Sequence, residues 1–210
     1  MNIRKHNLGN YIVPADTKNG VCLEIGANVG SFTEKYSNHF RLIHFYEPLL
    51  ECFNIVSKKV VNNQNVYGFN LAGYSSSGLI KEMMLHRNKD SGSSALKTSA
   101  INSDWVQEIQ TVKTISLTDM INELNVSEID YCKSDCETAE YHIFLNQDLS
   151  KIRYIGLELH NQMGSEKWYE LLDYIQKTHK LINGDSTWRH GSNSELLFSY
   201  RPINVNKQAD

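Results

Sequence analysis

Val21-Cys22-Leu23-Glu24-Ile25, then Gly26-Ala27-Asn28-Val29-Gly30, then Ser31-Phe32-Thr33-Glu34: these fourteen consecutive residues decide the fold. The first five form a short apolar run of strand length. The glycines that follow let backbone amides approach a ligand closely, and the N-terminus of a following helix favours an anionic or polar group. Ser31 to Glu34 has the S-x-x-E spacing of a capping box and is expected to open a helix reaching about Asn38. Strand, glycine turn and helix make the opening unit of a sheet covered by helices.

Reading outward, the alternation continues. Strands are expected at residues 42–46, 66–71, 129–134 and 152–159, with helices at 50–61, 139–146 and 167–178. The stretch 73–115 breaks the rhythm with two strand-like runs, 79–87 and 109–115, around a polar loop at 89–94. Ser116-Leu117-Thr118-Asp119 is a second capping box, opening a helix to about Leu124. Residues 180–182 and 195–200 are two strands with no helix between them, as in a closing antiparallel hairpin. The expectation is an α/β fold, a mostly parallel sheet with helices on both faces and a C-terminal antiparallel hairpin. With no linker, repeat or low-complexity block, one domain is expected over 1–210: a lead-in at 1–20, a cofactor-binding half at 21–72, inserted strands and a loop at 73–115, and a substrate-side half at 116–210.

Composition narrows the class. A formal charge of -3 and a pI near 6.2 offer no broad attraction for nucleic acid or anionic membrane, and no run of roughly 18 apolar residues could span a bilayer. The N-terminus lacks the apolar core of a secretory signal. Cys22, Cys52, Cys132 and Cys136 form no CxxC pair, so a zinc site is not expected, and reduced thiols in a cytoplasmic protein are.

Glu24 lies on the buried opening strand, where an uncompensated carboxylate costs several kcal/mol. A bound cofactor carrying an amine would supply donors and charge together. Glu47, 17 residues beyond Gly30 at the end of the second strand, stands where an acid accepts hydrogen bonds from ribose hydroxyls. A dinucleotide-binding GxGxxG would need glycine at Asn28 and Ser31, so the turn is poorly suited to a pyrophosphate. S-adenosylmethionine has none and fits better. A nucleotide- or NAD-binding oxidoreductase and a catalytically silent cofactor-binding module remain the competing readings.

Over residues 10–160 the chain resembles the FkbM family of S-adenosylmethionine-dependent methyltransferases. The resemblance is carried by Glu24 through Phe32, Tyr46-Glu47-Pro48, Asn70-Leu71-Ala72, Ser116-Leu117-Thr118-Asp119, Ile129 through Glu140, and Glu158-Leu159-His160. It implies a Rossmann-like class I methyltransferase fold and O-methylation of a hydroxyl on a saccharide or small secondary metabolite. By the same resemblance, Glu24, Gly26, Ala27, Asn28 and Gly30 line the methionine end of the cofactor and Asp135 borders it. Glu47 holds the ribose, and Asn70 with Leu71 flanks the adenine. Thr138 stands where the family usually has glycine, a residue that would permit an unusual backbone angle or keep the pocket floor open.

Asp135 and Glu137 end the fourth strand, and Glu158 and His160 end the fifth. Ligands of open α/β sheets bind outside the carboxyl ends of the strands, so these four should face one crevice. Alternation puts Glu158 and His160 on one side of their strand, and Lys133 and Asp135 on one side of theirs. Clustered carboxylates that perturb one another's proton affinity suggest a working site. Transfer to a hydroxyl needs its proton removed, and His160, titrating near neutrality, is the expected base, with Asp135 and Glu158 beside it. A divalent metal such as Mg²⁺ on Asp135 and His160-Asn161 is the alternative way to activate the hydroxyl. The acceptor, a small molecule or glycan, is expected near residues 91–98 and 161–165. Trp105, Trp168 and Trp188 are expected to serve packing.

Overall fold

In the computed structural model, residues 11–85, 95–96 and 108–200 are described. Strand β1 (Val21–Ile25) is buried at every position, as expected of a strand covered on both faces. It pairs in parallel with β2 (Leu42–Tyr46) on one side and β8 (Ile129–Ser134) on the other, placing Glu24 between Phe45 and Lys133. The seven-stranded sheet runs β10-β11-β9-β8-β1-β2-β3, with β3 at Val66–Phe69 and β9 at Ile152–Leu159. Strand order reverses at β1, so the crevice outside the carboxyl ends of β1 and β8 is the place for a ligand. β11 (Ser194–Tyr200) inserts between β9 and β10 (His179–Asn183), antiparallel to both, which is the expected closing hairpin.

Alternation along β1 divides the core. Val21, Leu23 and Ile25 join the large cluster that includes Trp168, Leu171 and Ile175 of α5 (Ser165–Gln176) and Ile143 and Phe144 of α4 (Glu140–Phe144). Cys22 points the other way, into a smaller cluster with Phe32 of α1 (Ser31–Tyr36), Phe40, Ile43 and Tyr131. Glu24, Lys133, Asp135 and Glu158 follow that second direction by their spacing along the strands.

A second sheet is built from β4 (Ala72–Tyr74), β5 (Ile80–Leu85), β6 (Ala95–Leu96) and β7 (Glu108–Ser116), in the order β4-β7-β5-β6. Its β5–β7 antiparallel pair matches the two expected runs at 79–87 and 109–115, though β4 was not expected. The run at 66–71 ends as a strand at Phe69, and the chain resumes as β4 against β7. The polar loop at 89–94 and Trp105 lie outside the described residues, as does 91–98 apart from Ala95 and Leu96.

The first capping box does not form. α1 is capped by Gly30 in the left-handed conformation (φ +77°), with no side-chain hydrogen bond, and Glu34 turns outward to Lys59 of α2 (Leu50–Lys59) at 2.9 Å. A ligand-binding turn keeps its first amides free, so a serine cap would compete with its use. The second box does form: the Ser116 hydroxyl accepts from the Asp119 amide at 3.1 Å at the head of α3 (Leu117–Leu124). No helix among the described residues is long and apolar enough to cross a membrane.

Candidate active site

β1 ends in a turn that only glycine can begin. Gly26 has φ +79°, and a Cβ there would lie 1.9 Å from the Asp135 carbonyl oxygen, so the end of β8 packs directly on the turn. The amides of Gly26 and Ala27 both donate to the Tyr46 carbonyl, at 2.9 and 3.2 Å. Glu47 completes the lacing: one carboxylate oxygen accepts from the Asn28 amide at 2.7 Å, the other from the Leu49 amide at 2.8 Å. Burial pushes the Glu47 carboxyl up to about 7, against the pull of those two amide bonds. The Asn70 amide group donates to the carbonyls of Glu47 and Pro48, both at 2.9 Å, so it braces this loop from behind. Leu71, half-buried, packs against the large core. Glu47, Asn70 and the turn are thus brought together.

Glu24 is fully buried. One of its oxygens accepts from the Thr33 hydroxyl at 2.6 Å, and the other is buried with no partner. Burial raises its carboxyl, and Lys133 opposes that rise. Lys133 donates to the Gly26 carbonyl at 2.7 Å and stands 3.7 Å from Asp135. The orphaned Glu24 oxygen has the chemistry to accept from the cationic amine of a cofactor such as S-adenosylmethionine. Sequence reasoning missed Tyr11: its ring lies under the Lys133 ammonium, 5.3 Å away, edge-on to Phe32, with its hydroxyl buried and unpartnered. No spacing signal links residue 11 to residue 133, so only the packed structure reveals it.

The other half of the site lies at the ends of β8 and β9. His160 is buried among carboxylates: its Nε2 is 3.4 Å from Glu137, 3.8 Å from Asp135 and 3.8 Å from Glu158, and its Nδ1 is 3.3 Å from Glu140. The expected crevice of Asp135, Glu137, Glu158 and His160 forms, and Glu140 is an addition. Glu140, fully buried at the head of α4, also accepts from the Cys136 amide at 2.6 Å. Burial alone would lower the His160 imidazole, but Glu140, Glu137 and Asp135 override it and push it up to about 10. The base expected from an imidazole titrating near neutrality is therefore held as a cation in this ring. Burial likewise pushes Glu137 up to about 8, with His160 opposing.

The chain leaves β8 through two left-handed residues, Glu137 (φ +49°) and Thr138 (φ +84°). The unusual angle that glycine would carry is carried here by a β-branched residue, at a cost of about 1–3 kcal/mol. Its hydroxyl is buried without a partner. Asn161, expected as a metal ligand beside His160, turns instead to Asn193, which accepts from its side-chain amide at 3.0 Å and donates to Glu158 at 3.2 Å. Trp168 and Trp188 pack and donate to the carbonyls of Ser186 and Asn161, at 2.9 and 3.1 Å.

The sheet order, the glycine turn and the acid ending β2 make a Rossmann-like α/β fold of the kind found in methyltransferases. The chain belongs to the FkbM methyltransferase family: the model of the methyltransferase FkbM domain matches residues 24–186. Among solved structures, it is similar to a fibrillarin pre-rRNA processing protein of Methanococcus jannaschii (TM-score 0.55, 8% identity, 91% of this chain and 70% of that one). It is also similar to Aeropyrum pernix fibrillarin in complex with natively bound S-adenosyl-L-methionine (0.50, 9%, 89% and 68%). A third is methyltransferase FkbM of Methylobacillus flagellatus KT (0.53, 12%, 90% and 48%), of which this chain spans about half the length. At such identities the likeness is one of fold. The sequence matches none of the curated proteins with which it was compared.

Proposed function

We propose that the chain methylates a hydroxyl group of a saccharide or small secondary metabolite. The observation that carries this reading is the polar crevice at the ends of β8 and β9, where four carboxylates surround His160 beside the donor turn. S-adenosylmethionine supplies an electrophilic methyl group on a sulfonium. Glu24 and the turn from Gly26 to Gly30 hold the donor's amino-acid end, the unpartnered Glu24 oxygen facing its amine. Glu47 and Asn70 shape the ribose and adenine end.

The acceptor hydroxyl rests against the carboxylate crevice, aimed at the methyl group, and alignment with water excluded supplies most of the acceleration. Glu158 takes the proton. It is half-buried, Asn193 orients one of its oxygens, and burial raises its carboxyl toward a useful base. A carbon–oxygen bond forms, the carbon–sulfur bond breaks, and the hydroxyl proton ends on Glu158. The net charge of -3 favours a small or glycan acceptor over nucleic acid, and free thiols at all four cysteines suit the cytoplasm.

Thermal unfolding with ligands tests the donor: S-adenosylhomocysteine should stabilise the protein and NAD should not. A panel of sugars and amines with isotopically labelled donor tests the acceptor. Label on an amine nitrogen and on no hydroxyl would sink the reading.

A further inference from the structure

His160 is 1% exposed, yet neither ring nitrogen is well satisfied. Nδ1 lies 3.3 Å from Glu140 Oε1 and is a buried atom that makes no hydrogen bond. Nε2 looks toward three carboxylates, but its nearest oxygens stand off at 3.4 Å (Glu137 Oε2) and 3.8 Å (Asp135 Oδ1 and Glu158 Oε1). Charge-assisted hydrogen bonds close to about 2.7–2.9 Å. These separations have the size of edges around a shared ion. Ligands at about 2.1 Å from one cation are roughly 3 Å apart at a right angle and about 4.2 Å apart across it. One atom each from Asp135, Glu137 and His160 lies within 4.8 Å of the others.

We propose that Asp135 Oδ1, Glu137 Oε2 and His160 Nε2 form a site for one divalent cation of the Mg²⁺ and Mn²⁺ class, with further positions open to water and to an acceptor oxygen; the ion takes the place of the proton that the metal-free imidazole carries on Nε2, and that proton leaves to solvent as the ion binds. Two carboxylates with one imidazole suit a hard cation that tolerates nitrogen, Mn²⁺ above all. The surroundings divide the labour. Asp135 turns its other oxygen to Lys133, leaving Oδ1 for the ion. The left-handed turn at Glu137 and Thr138 re-aims the chain where Glu137 faces the imidazole. Glu140 stands 3.3 Å behind Nδ1, where a carboxylate can orient a metal-bound imidazole once the ring settles onto the ion. Glu158 Oε1 is taken by Asn193, which leaves this carboxylate outside the ligand set. A cation also relieves the crowding of acidic groups around a buried ring.

A hydroxyl bound to such an ion gives up its proton to Glu158 more readily, its oxygen attacks the methyl carbon, and the carbon–sulfur bond breaks. That catalytic role rests on the O-methylation reading; the site itself does not. The test is a Mn²⁺ titration of the full chain after EDTA treatment, followed by loss of the free-ion electron paramagnetic signal and by calorimetry, with no donor or acceptor present. One saturable ion per chain, displaced by Mg²⁺, is expected. Asp135→Asn and Glu137→Gln should weaken it at least about tenfold, and Glu140→Gln, a positioning change, about 10- to 100-fold. Failure to saturate, or affinity unchanged in Asp135→Asn and Glu137→Gln proteins whose circular dichroism is native, overturns the proposal. Binding combined with undiminished methyl transfer in excess EDTA upholds the site and removes its catalytic role.

Discussion

The two halves of the site treat their carboxylates in opposite ways. On the donor side, both Glu47 oxygens accept backbone amides and Asn70 ties the loop from behind, with one Glu24 oxygen and the Tyr11 hydroxyl left over. On the acceptor side, Asp135, Glu137, Glu140 and Glu158 stand around one imidazole at 3.3–3.8 Å, and buried atoms of Thr138, Glu140 and His160 lack partners. A region whose polar groups satisfy each other is preorganised and needs little from its ligand. One whose polar groups do not is costly until something enters it. The donor half is thus the more nearly finished cradle and the acceptor half the less finished one.

The largest effect that would break this contrast is expected at the seam. Gly26→Ala places a Cβ against the Asp135 carbonyl and in a left-handed conformation, and should destabilise the protein by about 4 kcal/mol or more while abolishing donor binding. Urea unfolding and S-adenosylhomocysteine calorimetry read both, and a variant near wild type in each would show that the seam is not tight. Next, Glu158→Gln should lower turnover about 100- to 1000-fold with donor affinity within a few-fold, because only the less finished half loses a group. A matching fall in donor affinity would erase the division.

Glu47 sharpens the comparison through pH. Its native carboxyl holds a proton up to about 7, above its ordinary 4.5, so the native state binds the extra proton between those values. Its contribution to stability is therefore fully present below about pH 4.5, is lost as pH rises toward 7, and amounts to on the order of 3 kcal/mol. Denaturant unfolding at intervals through this window should show a steeper decline in the wild type than in Glu47→Gln; equal slopes would contradict it. The smallest effect belongs to Thr138→Gly. Relief of the left-handed threonine, about 1–3 kcal/mol, is offset by about 1 kcal/mol of added chain entropy. A rise in Tm of about 2–4 °C is expected, and a fall would mean that the threonine is not strained.

Much of the frame was legible because it is local. The apolar run at Val21–Ile25, the glycine turn after it and the alternation of strands with helices depend on neighbours a few residues apart, and all appear in the fold. Glu24, Glu47, Asp135, Glu158 and His160 were readable as candidates for the same reason: each sits at or next to a strand end. The box at Ser31 misled because a cap and a ligand turn share residue types, and the choice between them depends on what packs behind Gly30, where Val56 stands. β4 was hidden because three residues pairing with a strand some forty positions away carry no period of their own.

By itself, then, the order of amino acids determined where the chain turns, which elements it makes and which acids end its strands, since short-range sterics and hydrophobic period set those. The tertiary structure alone decided that Lys133 reaches the Gly26 carbonyl, that Tyr11 lies beneath it, and that Glu140 stands behind His160. It also changed the chemistry of His160, from an imidazole poised near neutrality to one held charged by its neighbours. Proton affinity is set by distance and burial, and both come into being only when β8 and β9 lie side by side.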